Sequence, residues 1–132
     1  MKKALVIDDS PANLKLARMT LENAGFEVLE AASGFDGLKL AMRHKPKVIF
    51  LDIQMPNMNG VEVLKKIKAT PLLSTTTVIA VTARSMAGDR ENFLSEGFDG
   101  YLSKPISINE LVAKAKESCA DEGSLIKGNA GG

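Results

Sequence analysis

Cysteine is nearly absent. Cys119 stands alone in 132 residues, so no internal disulfide can form, and its place on the apolar stripe of an expected helix favours a buried thiol over a reactive one. Net charge is nearly absent as well: 17 Lys and Arg stand against 16 Asp and Glu, a balance of +1. That leaves no electrostatic footprint for a nucleic-acid backbone or an anionic membrane. Long apolar runs are missing too. The run after Lys2 and Lys3 stops at Ile7 against two aspartates, too short for a secretory signal, and no window nears the roughly 20 apolar residues of a membrane span. The chain is therefore expected in the cytoplasm, with no direct contact to nucleic acid or membrane. Histidine is reduced to His44, near the end of an expected helix, where it is read as solvating or capping the helix C-terminus.

What the chain does have is one apolar run around which the rest is organised. Val48-Ile49-Phe50-Leu51 shows no alternation and reads as a strand buried on both faces. Asp52 ends it, at the carboxyl end where open α/β sheets place their ligands. Pro56, Asn57, Asn59 and Gly60 then rule out regular structure, so Asp52 lies at the mouth of a loop, as a site residue or as an ordinary turn cap.

The remaining segments alternate in the same way. Ala4–Ile7 is a strand stopped by Asp8 and Asp9; Ser10 and Pro11 open a helix with Leu14, Ala17, Leu21 and Ala24 on one face, and Gly25 ends it. Phe26–Ala31, interrupted by Glu27 and Glu30, suits an edge strand. Ser33 and Asp36 begin a helix carrying Leu38, Ala41 and Met42, which ends near Lys45-Pro46. A third helix holds Val61, Leu64 and Ile67, with Lys65, Lys66 and Lys68 on its solvated face. After a polar connection at 71–77, Val78–Val81 is a buried strand ending in Thr82-Ala83. The fourth helix, around Arg90, Phe93 and Leu94 between Gly88 and Gly97, is weakly signalled and expected to be the least stable. Gly100–Leu102 is a short strand before Ser103-Lys104-Pro105, and Ser107 with Glu110 forms a capping box ahead of Ile108, Leu111, Val112, Ala115 and Cys119.

Five strand–helix units of this length imply a doubly wound (βα)5 α/β sandwich, with a five-stranded parallel sheet in the order 2-1-3-4-5. The order reverses between the first and third strands and opens a crevice there. Asp8, Asp9 and Asp52 converge on it, and three carboxylates at one point repel unless a cation neutralises them. Oxygen-only ligands suit Mg2+, with Mn2+ as a substitute. The neighbouring strand ends add the Thr82 hydroxyl and the Lys104 ammonium, which together describe a pocket for a phosphoryl group on a carboxylate.

Asp8-Asp9, Leu51-Asp52-Ile53-Gln54-Met55-Pro56 with Gly60, Thr82-Ala83, Tyr101 and Lys104-Pro105 resemble the motifs of bacterial two-component response-regulator receiver domains, the CheY-like fold, over about Lys3 to Cys119. The resemblance implies that Asp52 accepts a phosphoryl group from a sensor histidine kinase or histidine phosphotransfer protein. It implies Mg2+ ligation by Asp9, Asp52 and the backbone carbonyl of Gln54, with Asp8 acting indirectly. Thr82 and Lys104 would bind phosphoryl oxygens, Tyr101 with Thr82 would form the switch, and Gln54 and Arg84 would tune phosphoryl lifetime. A cis Lys104-Pro105 bond is implied as well. The implied downstream target is a protein that meets the face of the fourth helix, last strand and last helix, with the receiver acting as a monomer or as a dimer formed on phosphorylation.

Residues 1–120 are expected to be the receiver, and 121–132 a disordered glycine-rich tail. Two other classes use a similar crevice. Aspartate-nucleophile Mg2+ phosphatases need a second Asp two positions after the first, where this chain has Gln54. A flavodoxin-like nucleotide binder needs a phosphate cradle after the first strand, where Asp8-Asp9-Ser10-Pro11 would repel a phosphate. A receiver-shaped binding module without phosphorylation is disfavoured because none of the five site positions is missing. Met55 and Met58, flanking the pocket, suit packing or contact with a partner helix equally.

Overall fold

Strands whose residues are apolar at every position need cover on both faces, and this requirement organises the molecule. The computed structural model describes residues 2–55, 60–83 and 89–131, with the side chains of 89, 90 and 120–131 outside that description. Along the chain run β1 (Lys3–Ile7), α1 (Pro11–Asn23), β2 (Glu27–Ala31), α2 (Gly34–His44), β3 (Val48–Asp52) and α3 (Gly60–Lys68). Then follow a 3-10 turn (Pro71–Leu73), β4 (Thr77–Thr82), α4 (Asp89–Glu96), β5 (Gly100–Ser103) and α5 (Ile108–Gly131). The five strands form one sheet in the order β2-β1-β3-β4-β5, every neighbouring pair parallel, as the alternation of elements required.

The two-residue period of the strands divides the core in two. Leu5, Ile7, Ile49, Leu51, Val78 and Ala80 meet Ala41 of α2, Val63, Leu64 and Ile67 of α3, and Phe93 of α4. Their sequence neighbours Ala4, Val6, Val48, Phe50, Ile79 and Val81 meet Ala17 and Leu21 of α1 and Leu111, Ala115 and Cys119 of α5. Each fully buried large side chain contributes about 1.5–3 kcal/mol, which ties all five helices to the sheet. β2 lies at the edge, with Glu27 and Glu30 exposed. Cys119 is a buried thiol, and no described helix is long and apolar enough to cross a membrane.

The helix starts follow their caps. Ser10, Ser33 and Ser107 accept the N–H of Asn13, Asp36 and Glu110 at 3.3, 3.2 and 3.3 Å. Gly25 and Gly97 take φ of +96° and +114° just past α1 and α4, a conformation that costs other residues about 1 kcal/mol or more.

The structure departs from the sequence reading in three places. The connection at 71–77 is not merely polar: Leu73 reaches the core from the 3-10 turn, and the buried Thr76 hydroxyl donates to the Pro46 carbonyl at 3.1 Å. Met42, Leu94 and Ile108, read as core-facing, are exposed at 49%, 42% and 54%. Those apolar stripes are narrower than their spacing suggested, because Ala41, Phe93 and Leu111 already fill the contact with the sheet. Finally, α5 runs through Gly131, past Cys119, where its apolar period stops. Ala120, Glu122 and Lys127 are good helix formers, and prolonging an existing helix needs no new nucleus.

Candidate functional site

Parallel strands present all their carboxyl ends on one edge, and β1 and β3, adjacent in the sheet, send their following helices to opposite faces. The residues left at that split are Asp8, just after β1, and Asp52, the last residue of β3. Both are buried, at 2% and 1% exposure, while Asp9 is exposed. Carboxylate oxygens of Asp8, Asp9 and Asp52 all lie within 4.8 Å of one another. The convergence read from the sequence is thus present in space.

The site is held by donors from three segments. Asp52 Oδ1 accepts the Gln54 N–H at 2.9 Å, and its Oδ2 accepts the Lys104 ammonium at 3.2 Å. Lys104 Nζ also lies 3.4 Å from Asp8 Oδ2, so one cation bridges both buried acids. Asp8 Oδ1 accepts the Ser10 N–H at 2.9 Å, and Oδ2 accepts the Asn13 side-chain amide at 3.3 Å. Lys104 is aimed from the end of β5 across β4: its N–H donates to the Thr82 carbonyl at 2.7 Å, and the Lys104-Pro105 peptide is cis.

Burial sets the electrostatics. It pushes the Asp8 carboxyl above the ordinary aspartate range; the Ser10 N–H opposes this, the Asp52 charge reinforces it and Lys104 offsets it. For Lys104, burial acts downward, but the hydrogen bond and charge of Asp52, followed by those of Asp8, win and hold the ammonium above the usual lysine value. The donor set is entirely hard oxygen, concentrated on one point and short of positive charge, which fits Mg2+ or Mn2+ and no soft metal.

The loop that follows Asp52 is anchored at its root. Ile53 N–H donates to the Val81 carbonyl and Gly60 N–H to the Ile53 carbonyl, both at 3.2 Å. A Cβ on Gly60 would come within 2.5 Å of Ile53 Cα, backbone that cannot swing away, so only glycine permits this approach. Met55 is buried in the core, which resolves its reading towards packing. Gln54 is exposed beside the acids. Arg84 and Met58 lie outside the described residues.

Thr82 ends β4 fully buried, paired in register with Ser103 of β5. Tyr101 is half-buried, and its ring packs on Phe93 of α4 with centroids 5.7 Å apart; Phe93 in turn meets Phe98 edge-on at 6.0 Å. This aromatic chain joins α4 to β5, and of its members the sequence reading had singled out only Tyr101 for a site role. His44 lies away from the site, its Nδ1 3.4 Å from Lys3 Nζ at the start of β1. Asn13 was also missed; its signal is positional, three residues after the Ser10 cap and in the first turn beside Asp8.

A doubly wound sheet with an acidic, lysine-bridged crevice at its topological switch point is the architecture of response-regulator receivers. The chain belongs to the response regulator receiver domain family, which it matches over residues 4–116. It is 38% identical over 120 residues to the polar-differentiation response regulator DivK of Brucella ovis, an alignment that covers 91% of this chain and 98% of that one. Among solved structures it is similar to the Vibrio cholerae chemotaxis protein CheY4, with a TM-score of 0.83 and 29% identity over 89% of this chain and 98% of that chain. A CheY-like receiver domain protein from Methanospirillum hungatei superposes with a TM-score of 0.83 and 30% identity, covering 95% and 98%.

Proposed function

We propose that this receiver is a phosphoacceptor: Asp52 takes a phosphoryl group from a phosphohistidine on a sensor histidine kinase or a histidine phosphotransfer protein, in a Mg2+-dependent step. An Asp52 carboxylate oxygen forms the new P–O bond as the P–N bond to the donor imidazole breaks, and the imidazole leaves with a proton. Asp9, Asp52 and the Gln54 carbonyl would hold the cation, with Asp8 acting through water or hydrogen bonds. Mg2+ supplies the positive charge that lets one anion approach another. Lys104 exchanges its bond to Asp52 for a phosphoryl oxygen, and the Thr82 hydroxyl donates to a second. Gln54 and Arg84 tune the phosphoryl lifetime.

The output runs through Thr82 and Tyr101 to the surface of α4, β5 and α5, where a downstream protein binds. The receiver works as a monomer or as a dimer formed on phosphorylation, in the cytoplasm, and promotes only its own phosphorylation and dephosphorylation. One observation carries this reading: a single ammonium bridges the buried Asp52 and Asp8 at 3.2 and 3.4 Å, a mobile positive charge beside a nucleophile. Gln54, where an aspartate-nucleophile phosphatase needs a second Asp, argues against turnover of external substrates. The test is incubation with Mg2+ and a small phosphodonor such as acetyl phosphate. A base-labile gain of one phosphoryl mass supports the reading, and no gain in Mg2+ refutes it.

A further inference from the structure

We infer that Asn13 is a positioning residue of the acidic site, one that holds the Asp8 carboxylate in place whether or not Lys104 is bound to it. The inference rests on the cation-dependent reading above and adds a residue to it.

Asp8 is nearly fully buried, and its two oxygens take three donors of different kinds. The Ser10 N–H, at 2.9 Å on Oδ1, belongs to the backbone and stays in every state. The Lys104 ammonium, at 3.4 Å on Oδ2, is shared with Asp52. The Asn13 amide, at 3.3 Å on the same Oδ2, is neutral and sits on a rigid helix turn whose N–H is capped by the Ser10 hydroxyl at 3.3 Å. A buried carboxylate oxygen that loses its donor bears the desolvation cost of that loss or turns to find another partner. When Lys104 is drawn to a phosphoryl oxygen, Asp8 Oδ2 keeps Asn13 alone. Asn13 therefore does two things: it fixes the direction in which Asp8 faces the cation, and it lowers the hold of Asp8 on Lys104.

Nothing in this role needs Asn13 to touch the cation or the phosphoryl group. The side chain is half-buried in the first turn of α1, so a volume-matched apolar residue fits the turn while removing the donor. The expected loss is that of one hydrogen bond to a charged group, read as about a fivefold to tenfold weaker Mg2+ affinity.

The experiment is a Mg2+ titration followed by amide NMR on the wild type, Asn13→Leu and Asn13→Gln, with melting temperatures of all three. The inference expects Asn13→Leu to weaken Mg2+ binding by about fivefold or more and Asn13→Gln, which keeps the amide, to recover most of it, with the melting curves showing each variant folded at the titration temperature. Wild-type-like Mg2+ affinity in Asn13→Leu overturns it. A readout independent of any variant is the Asn13 side-chain NH2 signal of the wild type. It should shift on Mg2+ addition while that of exposed Asn23 stays, and an unmoved Asn13 signal in protein that binds Mg2+ overturns the inference. Wild-type protein without any Mg2+ response refutes the cation reading itself, a result distinct from either.

Discussion

Oδ2 of Asp52 and the ammonium of Lys104 lie 3.2 Å apart across 52 positions of chain, and the bond reaches from β3 over the end of β4 to the residue after β5. It gathers three strand ends into one site. The same ammonium serves Asp8, so Lys104→Ala leaves two buried carboxylates facing each other. The expected loss in urea unfolding at neutral pH is about 1–2 kcal/mol, below that of a fully buried pair because Lys104 keeps some solvent contact. Adding Mg2+ should recover much of it, since the cation replaces the missing charge. The pKa of Lys104 is raised in the folded state, so its contribution is fully present below the unfolded value of 10.5 and is lost as pH rises through the higher folded value. The difference between wild type and Lys104→Ala should shrink in that alkaline window, and again at acid pH as Asp8 takes up its proton.

Asp8 carries the opposite sign. Its folded pKa lies above the unfolded value of 3.8, so the unfolded chain sheds its proton first as pH rises, and stability is lost between the two values. At neutral pH the charged form is a burden that function keeps. Asp8→Asn is expected to stabilise the metal-free protein by about 1 kcal/mol at pH 7, with no gain below pH 3.8. It should also weaken Mg2+ binding. Thermal unfolding in EDTA across pH measures the first effect, and a uniform gain at all pH values would contradict it.

Gly60→Ala tests the anchoring of the loop. The added methyl meets Ile53 Cα at 2.5 Å, and relieving that overlap displaces the segment that carries the Gln54 N–H to Asp52. A loss of about 1–3 kcal/mol is expected, together with slower phosphoryl uptake. Unchanged stability and uptake would show that the loop yields freely.

These three sites differ in how plainly the sequence announces them. Asp8, Asp9, Asp52, Thr82 and Lys104 were legible because each ends an apolar run or follows a short strand, and parallel strands bring their ends together by topology alone. The sheet order and the helix starts at Ser10, Ser33 and Ser107 were legible for similarly local reasons. The shared donors on Asp8 were not, since Asn13 meets Asp8 only through the angle at which α1 leaves the sheet. The Phe98–Phe93–Tyr101 chain depends on how α4 turns back on β5 at Gly97. Leu73 was missed because the pair Leu72-Leu73 is too short to show a period, and which of the two is buried is set by one 3-10 turn. Met42, Leu94 and Ile108 were misplaced because helical spacing gives the direction of a stripe but not its width.

On the proposed reading, the contact between Tyr101 and Phe93 makes α4 the element expected to answer a change at Thr82. Drawing the Thr82 hydroxyl towards a phosphoryl oxygen would alter the space open to Tyr101, and the ring, packed on Phe93, would carry the change into α4. Beryllofluoride with Mg2+, a phosphoryl mimic, is expected to shift amide NMR signals from Arg90 to Leu94 and at Tyr101 in the wild type. Thr82→Ala should bind the mimic and lose most of those shifts. One neutral hydrogen bond of about 1 kcal/mol cannot supply the roughly 5.5 kcal/mol of a full switch, so Lys104 must contribute or the shift stays partial. Still signals in the wild type, with the mimic bound, would refute the coupling.

The central claim is that Asp52 carries the phosphoryl group, and intact mass tests it most directly. Wild type and Asp52→Asn are incubated with a phosphohistidine-bearing phosphotransfer protein, in Mg2+ and in EDTA. The account predicts a base-labile gain of one phosphoryl mass in the wild type with Mg2+, almost none in EDTA, and none in Asp52→Asn. Labelling of Asp52→Asn at the wild-type rate, or equal labelling of the wild type in EDTA, would contradict it.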